Sequence, residues 1–217
     1  LNQKHALPEM NFNPTGTESS FVLHRQHVQD SGQFVIKDES CYRCGIKCHK
    51  NVYDIGDDGK AGRFRAKLDY EPLNLLASNI GIFDADQACT IVELVDELGM
   101  DSISCGVALS YAMEYNRRHA DDGNALPDGP RYGDFDSILK AVTDAAEGRN
   151  QMLGQGVLRM SEDLGETGYA MHCKGMELPA YLPQHNPGYP WAMAGGHMSM
   201  RTFLLYLFDG ETDMDYW

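Results

Sequence analysis

The sequence predicts a mostly α fold with little β, and two observations carry that expectation. Apolar residues recur at helical spacing in successive stretches between positions 84 and 164. Aspartates stand where those stretches begin and glycines where they end, the order expected of helix caps. The chain shows neither an internal repeat nor a low-complexity tract.

Taken in order, the first 38 or so residues have no clean periodicity. "LPEMNFNPTGTESS" reads as loop, and "FVLHRQHV" and "GQFVIK" suit a strand or short helices. A cysteine run and the turn "DIGDDGKAG" follow, and "KLDYEPLNLLASNIGIFD" opens the ordered part. Asp84 or Asp86 caps a helix with Ala88, Ile91, Val92, Val95 and Leu98 on one stripe, ended by Gly99. A second helix runs from near Ser102 to about Arg118, with Ile103, Val107, Tyr111 and Tyr115 on one face. "HADDGNALPDGPRYGD" is loop. Asp134 or Asp136 then caps a third helix, with Ile138, Leu139, Val142 and Ala145 inward and Gly148 at its end. A fourth covers about Asn150 to Leu164, and a last one roughly Met198 to Phe208, beyond the loop "LPQHNPGYP". We divide the chain into a loop-rich segment with the cysteine run, 1–68, and a helical domain, 69–217.

The net charge of −14 argues against nucleic acid as a partner, because such binding needs a basic face to release counterions. The longest apolar stretch, "FLLYLF", is core-sized and too short to span a membrane. "LNQKHALPEM" lacks the apolar core of a secretory signal, so the expected location is the cytoplasm, with thiols reduced, metal-bound or catalytic. The chain starts at Leu1 and ends in the acidic stretch "DGETDMDYW", which suggests processing or a piece of something longer.

"CYRCGIKCHKN" places Cys41, Cys44 and Cys48 in a C-x2-C-x3-C run. Thiolates at this spacing converge on one centre when a turn folds them together. Zinc sites usually show two pairs for tetrahedral closure, and here no second pair follows. An iron–sulfur cluster fits better, with zinc and free thiols as the alternatives. The spacing reverses the C-x3-C-x2-C run of radical enzymes that cleave adenosylmethionine. Cys89, Cys105 and Cys173 are the in-chain candidates for a fourth ligand.

Two further stretches are distinctive: "ELVDELGMDSISCG", with D-x-x-G-M-D from Asp96 to Asp101, and "MHCKGMELPAY", with H-x-K-G-M-E-x-P-A-Y from His172 to Tyr181. Upstream, "LDYEPLNLLASNIGI" looks like an E-Y-E-T…L-G-S-N-x-G-I pattern, and "YGDFDSILKAV" lies between. With the cysteine run ahead of them, these motifs in this order resemble the aldehyde:ferredoxin oxidoreductase family of tungsten-bispterin enzymes, from about "LPEMNF" to "MRTF".

The resemblance implies a four-iron–four-sulfur (4Fe-4S) cluster on Cys41, Cys44 and Cys48, beside tungsten (or molybdenum) held by two pterin dithiolenes. The family's fourth cluster ligand lies in a D-x-x-G-L-C motif that this sequence lacks, and the family's β-rich N-terminal domain has no counterpart in it, so the chain resembles the central, helical part of a longer enzyme or a shortened relative whose missing pieces come from elsewhere. Asp96 and Asp101 suit the donor-rich edge of a pterin, with the amides at Leu98, Gly99 and Met100 adding contacts. The bland reading of those aspartates is a solvated helix end. By resemblance His172 acts in the catalytic pocket, Lys174 contacts a polar or phosphate part of the cofactor, and Glu71 is the acidic catalytic residue, with Asp69 as the other candidate. The plain alternatives are a structural histidine, a surface lysine and an acid stabilising a helix N-terminus. "AMAGGHMSMRTF" departs from the Arg-Gly and "YATS" of many relatives and makes His197 and Arg201 pocket-edge candidates. Cys105 stands where many aldehyde-oxidising relatives have no cysteine; it is a possible tungsten ligand, as in the branch that reduces aromatic thioesters, or a small buried hydrophobe.

The expected function is therefore oxidation of an aldehyde to a carboxylate, with electrons passing through the cluster to ferredoxin or an electron-transfer subunit. The alternatives are reduction of an aromatic coenzyme A thioester and a non-catalytic iron–sulfur electron-transfer subunit. An oligomer is expected.

Overall fold

The computed structural model describes residues 7–14 and 22–183. Its fold is mostly α, as the sequence predicts. A short hairpin, β1 (Pro8–Glu9) and β2 (Asn13–Pro14), comes first, then α1 (Arg25–Asp30). Three antiparallel strands form a sheet in the order β3 (Phe34–Glu39), β4 (His49–Ile55), β5 (Ala61–Lys67). The helices follow: α2 (Tyr70–Leu75), α3 (Ala85–Glu97), α4 (Ser102–Arg118), α5 (Phe135–Ala146), α6 (Gln151–Gly154) and α7 (Val157–Asp163). A two-residue hairpin, β6 (His172–Cys173) and β7 (Met176–Glu177), completes the described part.

The first three expected helices form, and their caps explain where they start. Asp84, not Asp86, accepts the Gln87 amide at 2.9 Å and opens α3. Asp134, not Asp136, accepts the Ser137 amide at 3.1 Å and opens α5. Each such cap satisfies an orphan amide and contributes about 1 kcal/mol. The α3 stripe of Ala88, Ile91, Val92 and Val95 is buried, as is Ile138 with Val142 on α5. Burying each large aliphatic side chain contributes about 1.5–3 kcal/mol.

α4 differs from its expected one-faced form. It is buried without interruption from Cys105 to Tyr115, so it is the central helix of the domain. Small residues at Gly106, Ala108, Ser110 and Ala112 let neighbours approach on every side. At Gly106 the approach is so close that a Cβ would lie 2.5 Å from the Leu75 carbonyl oxygen, which presses α2 onto α4. The expected helix from Asn150 to Leu164 is two helices, α6 and α7. The break falls at Gly156, whose φ of +85° belongs to the left-handed half of the map.

The sheet was only half legible. "FVLHRQHV" gives the helix α1 and "GQFVIK" gives β3, one of each kind offered by the sequence. β4 and β5 lie in what the sequence suggests is loop. Their alternation is weak because of their residues only Val52 and Ala66 are fully buried, while Ile55 and Phe64 are exposed. The D-G dipeptide at Asp58–Gly59 is the hairpin signal that marks their connection. Arg65 pins this sheet to α3: its guanidinium reaches Asp54 and Asp86 at 3.0 Å each, Thr90 at 3.1 Å and Glu93 at 3.5 Å. No helix among the described residues is long and apolar enough to cross a membrane. The expected helix near Met198–Phe208 lies outside the described residues.

Candidate functional site

Three of the motifs quoted above meet in space. Glu177, from "KGMELPAY", is buried, and both its oxygens are engaged. One accepts the Val157 amide at the start of α7 at 3.0 Å; the other accepts the Ser104 hydroxyl on the first turn of α4, also at 3.0 Å. The helix that opens right after D-x-x-G-M-D is thus tied to the His172 hairpin. Tyr70, from "LDYE", donates its hydroxyl to the Ala180 carbonyl at 2.6 Å and stacks on Tyr181, ring centroids 5.0 Å apart. Glu71 is therefore carried on a helix anchored to the same strand-and-turn segment as His172. Glu177 and Tyr70 were missed as positioning residues, although both stood inside quoted motifs.

His172 sits at the start of β6, paired across the hairpin with Glu177. The turn between the strands is Lys174–Gly175, with φ of +55° and +84°, the two-residue turn that suits tightly twisted strands. It leaves Lys174 exposed at the tip and folds the Gly175 amide back onto His172 Nδ1 at 3.3 Å. An amide can only donate, so Nδ1 accepts, and a neutral imidazole then carries its proton on Nε2.

The two acidic candidates stand at the start of α2. Asp69 occupies the N-cap position, but its Oδ1 accepts the Lys50 amide at 3.0 Å and its Oδ2 pairs with Lys67 at 3.0 Å. It joins the sheet to α2. Glu71 lies half-buried in the first turn.

Asp96 and Asp101 flank the turn between α3 and α4. Asp96 is exposed on the last turn of α3; partial burial of its carboxyl pushes its pKa upward, and Lys67 pulls it back. Asp101 caps α4 by accepting the Ser104 amide at 2.7 Å. The amides of Leu98, Gly99 and Met100 already donate to the carbonyls of Leu94, Asp96 and Val95, each at 3.0 Å. The contribution this turn has left for a donor-rich edge comes from its carbonyls and carboxylates. Met100, Asp101, Ser104, Cys105, Ala108, Leu153 and Gly156 line one cavity of about 220 Å³. Burial pushes the Cys105 thiol up to about 12, so without a metal it stays protonated.

Cys41, Cys44 and Cys48 lie on the 40–48 loop between β3 and β4, all exposed. The Cys44 amide donates to the Cys41 carbonyl at 2.9 Å and closes the C-x2-C turn. Cys41 Sγ lies 3.1 Å from His49 Nε2. Among the described residues, no three His, Cys, Asp or Glu side chains gather closely enough to hold an ion by themselves. Three accessible thiols on one short loop are nonetheless the donor set an iron–sulfur cluster takes, since the cluster's own irons draw the thiolates together. Of the other cysteines, Cys89 is sealed in the α3 core face and Cys105 lines the cavity above. His197 and Arg201 lie outside the described residues.

Comparison with known proteins identifies the family of the chain. The family described as "Aldehyde ferredoxin oxidoreductase, domains 2 & 3" matches residues 1–201, and the chain belongs to that family. It is 29% identical over 207 residues to the tungsten-containing aldehyde ferredoxin oxidoreductase of Pyrococcus furiosus, covering 90% of this chain and 33% of that protein. To the enzyme of the same name from Thermococcus kodakarensis it is 28% identical over 205 residues, with the same coverage. A Pyrococcus furiosus protein named "Aliphatic sulfonate oxidoreductase, WOR-like subunit" is 30% identical over 149 residues, 64% of this chain and 24% of that protein. The chain thus spans about a third of the length of the aldehyde ferredoxin oxidoreductases it matches.

Proposed function

We propose that this chain forms the central part of a tungsten (or molybdenum) bis-pterin, iron–sulfur oxidoreductase that converts an aldehyde and water to a carboxylate. The observation that carries the reading is the Glu177–Ser104 hydrogen bond. It brings the two most specific motifs, 73 residues apart at that contact, to one place.

The residues fit the groups in kind. Cys41, Cys44 and Cys48 would hold the cluster, Asp96 and Asp101 would accept hydrogen bonds from a pterin edge, and Lys174 would meet a phosphate. When bound, the metal–pterin group supplies the two-electron redox centre. The chain's own residues handle protons and position. Oxidation of an aldehyde plus water to a carboxylate releases two electrons and three protons. His172, with its Nδ1 occupied by the Gly175 amide, offers Nε2 as the single exchangeable proton position in the neutral ring. Glu71, on the anchored α2, is the second proton carrier. The electrons leave through the cluster to ferredoxin or an electron-transfer subunit, in the cytoplasm, from an assembly of more than one chain.

A second reading rests on Cys105, which lines the same cavity as Asp101. A thiolate there would take a coordination position on the metal and favour reduction of an aromatic coenzyme A thioester. Metal analysis of the anaerobically purified full enzyme, with aldehyde-dependent reduction of ferredoxin, tests the first reading. Tungsten or molybdenum with iron and sulfide, and turnover of aldehydes, are expected. Iron and sulfide alone would leave an electron-transfer subunit in its place. Absorption at the metal edge separates the two enzymatic readings: four sulfurs for aldehyde oxidation, five if Cys105 binds.

A further inference from the structure

The loop that carries the three thiols is closed at its neck by a strand pair. β3 ends at Glu39 and β4 begins at His49, and these two residues face each other in the antiparallel register. The Asn51 side chain also donates to Glu39 at 2.8 Å, fastening the neck. The chain therefore leaves the sheet two residues before Cys41 and returns to it directly after Cys48. That geometry fixes His49 against the first thiol of the loop, with Nε2 3.1 Å from Cys41 Sγ. The ring is half-buried, while the thiols around it are exposed.

A thiolate bound to iron has no proton to give, so it can only accept. The Nε2 position must then carry the hydrogen of this contact, and His49 is a donor to ligand sulfur. Hydrogen bonds to cluster sulfurs favour the reduced, more negative state and raise the reduction potential. We propose that His49 is a positioning residue that donates Nε2–H to the Cys41 thiolate and raises the potential of the cluster. This rests on the reading of Cys41, Cys44 and Cys48 as cluster ligands, but it adds a residue that the cysteine spacing does not reveal. His49 lies next to Cys48 in sequence yet serves Cys41, because the hairpin register brings the two ends of the loop together.

The test is a redox titration of the cluster in the anaerobically purified full enzyme, alongside its His49→Phe and His49→Gln variants. Phe keeps the ring and removes the donor; Gln restores an N–H at similar reach. In His49→Phe the ratio of reduced to oxidised cluster at a fixed ambient potential is expected to fall roughly three- to tenfold, equivalent to about 30–60 mV. His49→Gln is expected to recover most of that loss. Equal potentials in all three proteins, at equal iron and sulfide content, would overturn the proposal. Should His49→Phe fail to hold a cluster, pulsed magnetic resonance on the native enzyme with nitrogen-15 histidine decides: a weak coupling to one histidine, lost in His49→Gln, supports the hydrogen bond. No coupling overturns it, and so does a strong coupling of iron-bound nitrogen, which would make His49 a ligand. If the native enzyme holds neither iron nor sulfide, the cluster reading itself has failed, an outcome visible before any variant is made.

Discussion

Where the His172 hairpin meets the helices, Glu177 is buried and both its oxygens meet donors 3.0 Å away, one on α4 and one on α7. In the 40–48 loop, Cys41, Cys44 and Cys48 are all exposed, and the strongest contact made by any of their sulfurs is the one to His49. The first region is organised by the polypeptide before any ligand arrives. The second supplies its thiols on a loop fixed at its ends and by the Cys41–Cys44 turn, with no contact among the described residues drawing the three sulfurs together. On the function proposed above, the same chain would use preorganisation where atoms must be placed for chemistry, and a tethered donor set where a rigid inorganic group brings its own geometry.

The contrast can be broken at either end. The largest effect is expected in the loop. Cys44→Ala should reduce iron and acid-labile sulfide to roughly a tenth or less of the native content. The helical circular dichroism should stay unchanged, because Cys44 is exposed and packs against nothing in the core. Retained iron would show that Cys44 is no ligand.

At the β6–β7 hairpin, His172→Asn keeps a side chain that can receive the Gly175 amide but cannot carry a proton through a cycle. Turnover should fall by about a hundredfold with metal and pterin retained. Native turnover would reduce His172 to a hairpin residue. Glu177→Ala should act on stability instead, since it strands the Val157 amide and the Ser104 hydroxyl in a buried place. A loss of about 2–4 kcal/mol in chemical denaturation is expected. A loss below about 0.5 kcal/mol would mean that the two motifs are held together by other contacts.

The smallest effect concerns pH. His119, at the end of α4, bridges Asp122 and Glu166 at 2.6 Å each, and these hydrogen bonds raise its pKa above the ordinary 6.5. A folded-state pKa above the unfolded one gives stability that is full below about pH 6.5 and lost as pH rises through the folded value. Urea midpoints of the native protein should therefore decline over that window, and His119→Gln should flatten the decline. An unchanged slope would show that the bridge does not respond to protonation.

How much of this was legible in the sequence follows from how each region is built. α3 and α5 were readable because one face is buried and the other wet, and because Asp84 and Asp134 announce the first turn. α4 was readable as a helix but not as the central one, since burial on all sides erases the stripe. β4 and β5 escaped because so few of their side chains are buried that alternation hardly registers. At the site, residue types were legible while their division of labour was not. The bonds from Lys50 and Lys67 that tie Asp69 to the sheet come from residues that no local pattern around Asp69 announces. Glu177 and Tyr70 act through partners far away in sequence, and no local pattern encodes such partners.

The contact at Gly106 has a kinetic meaning. The absent methyl there sets the gap between the helix that carries Glu71 and the helix that carries Cys105, because a Cβ would run into the Leu75 carbonyl. One hydrogen atom in place of a side chain thus serves as a gauge block between the two helices. Proton transfer is steeply sensitive to the distance it must cover, so, on the role proposed for Glu71, its reach would be set partly by a residue that has no functional group at all.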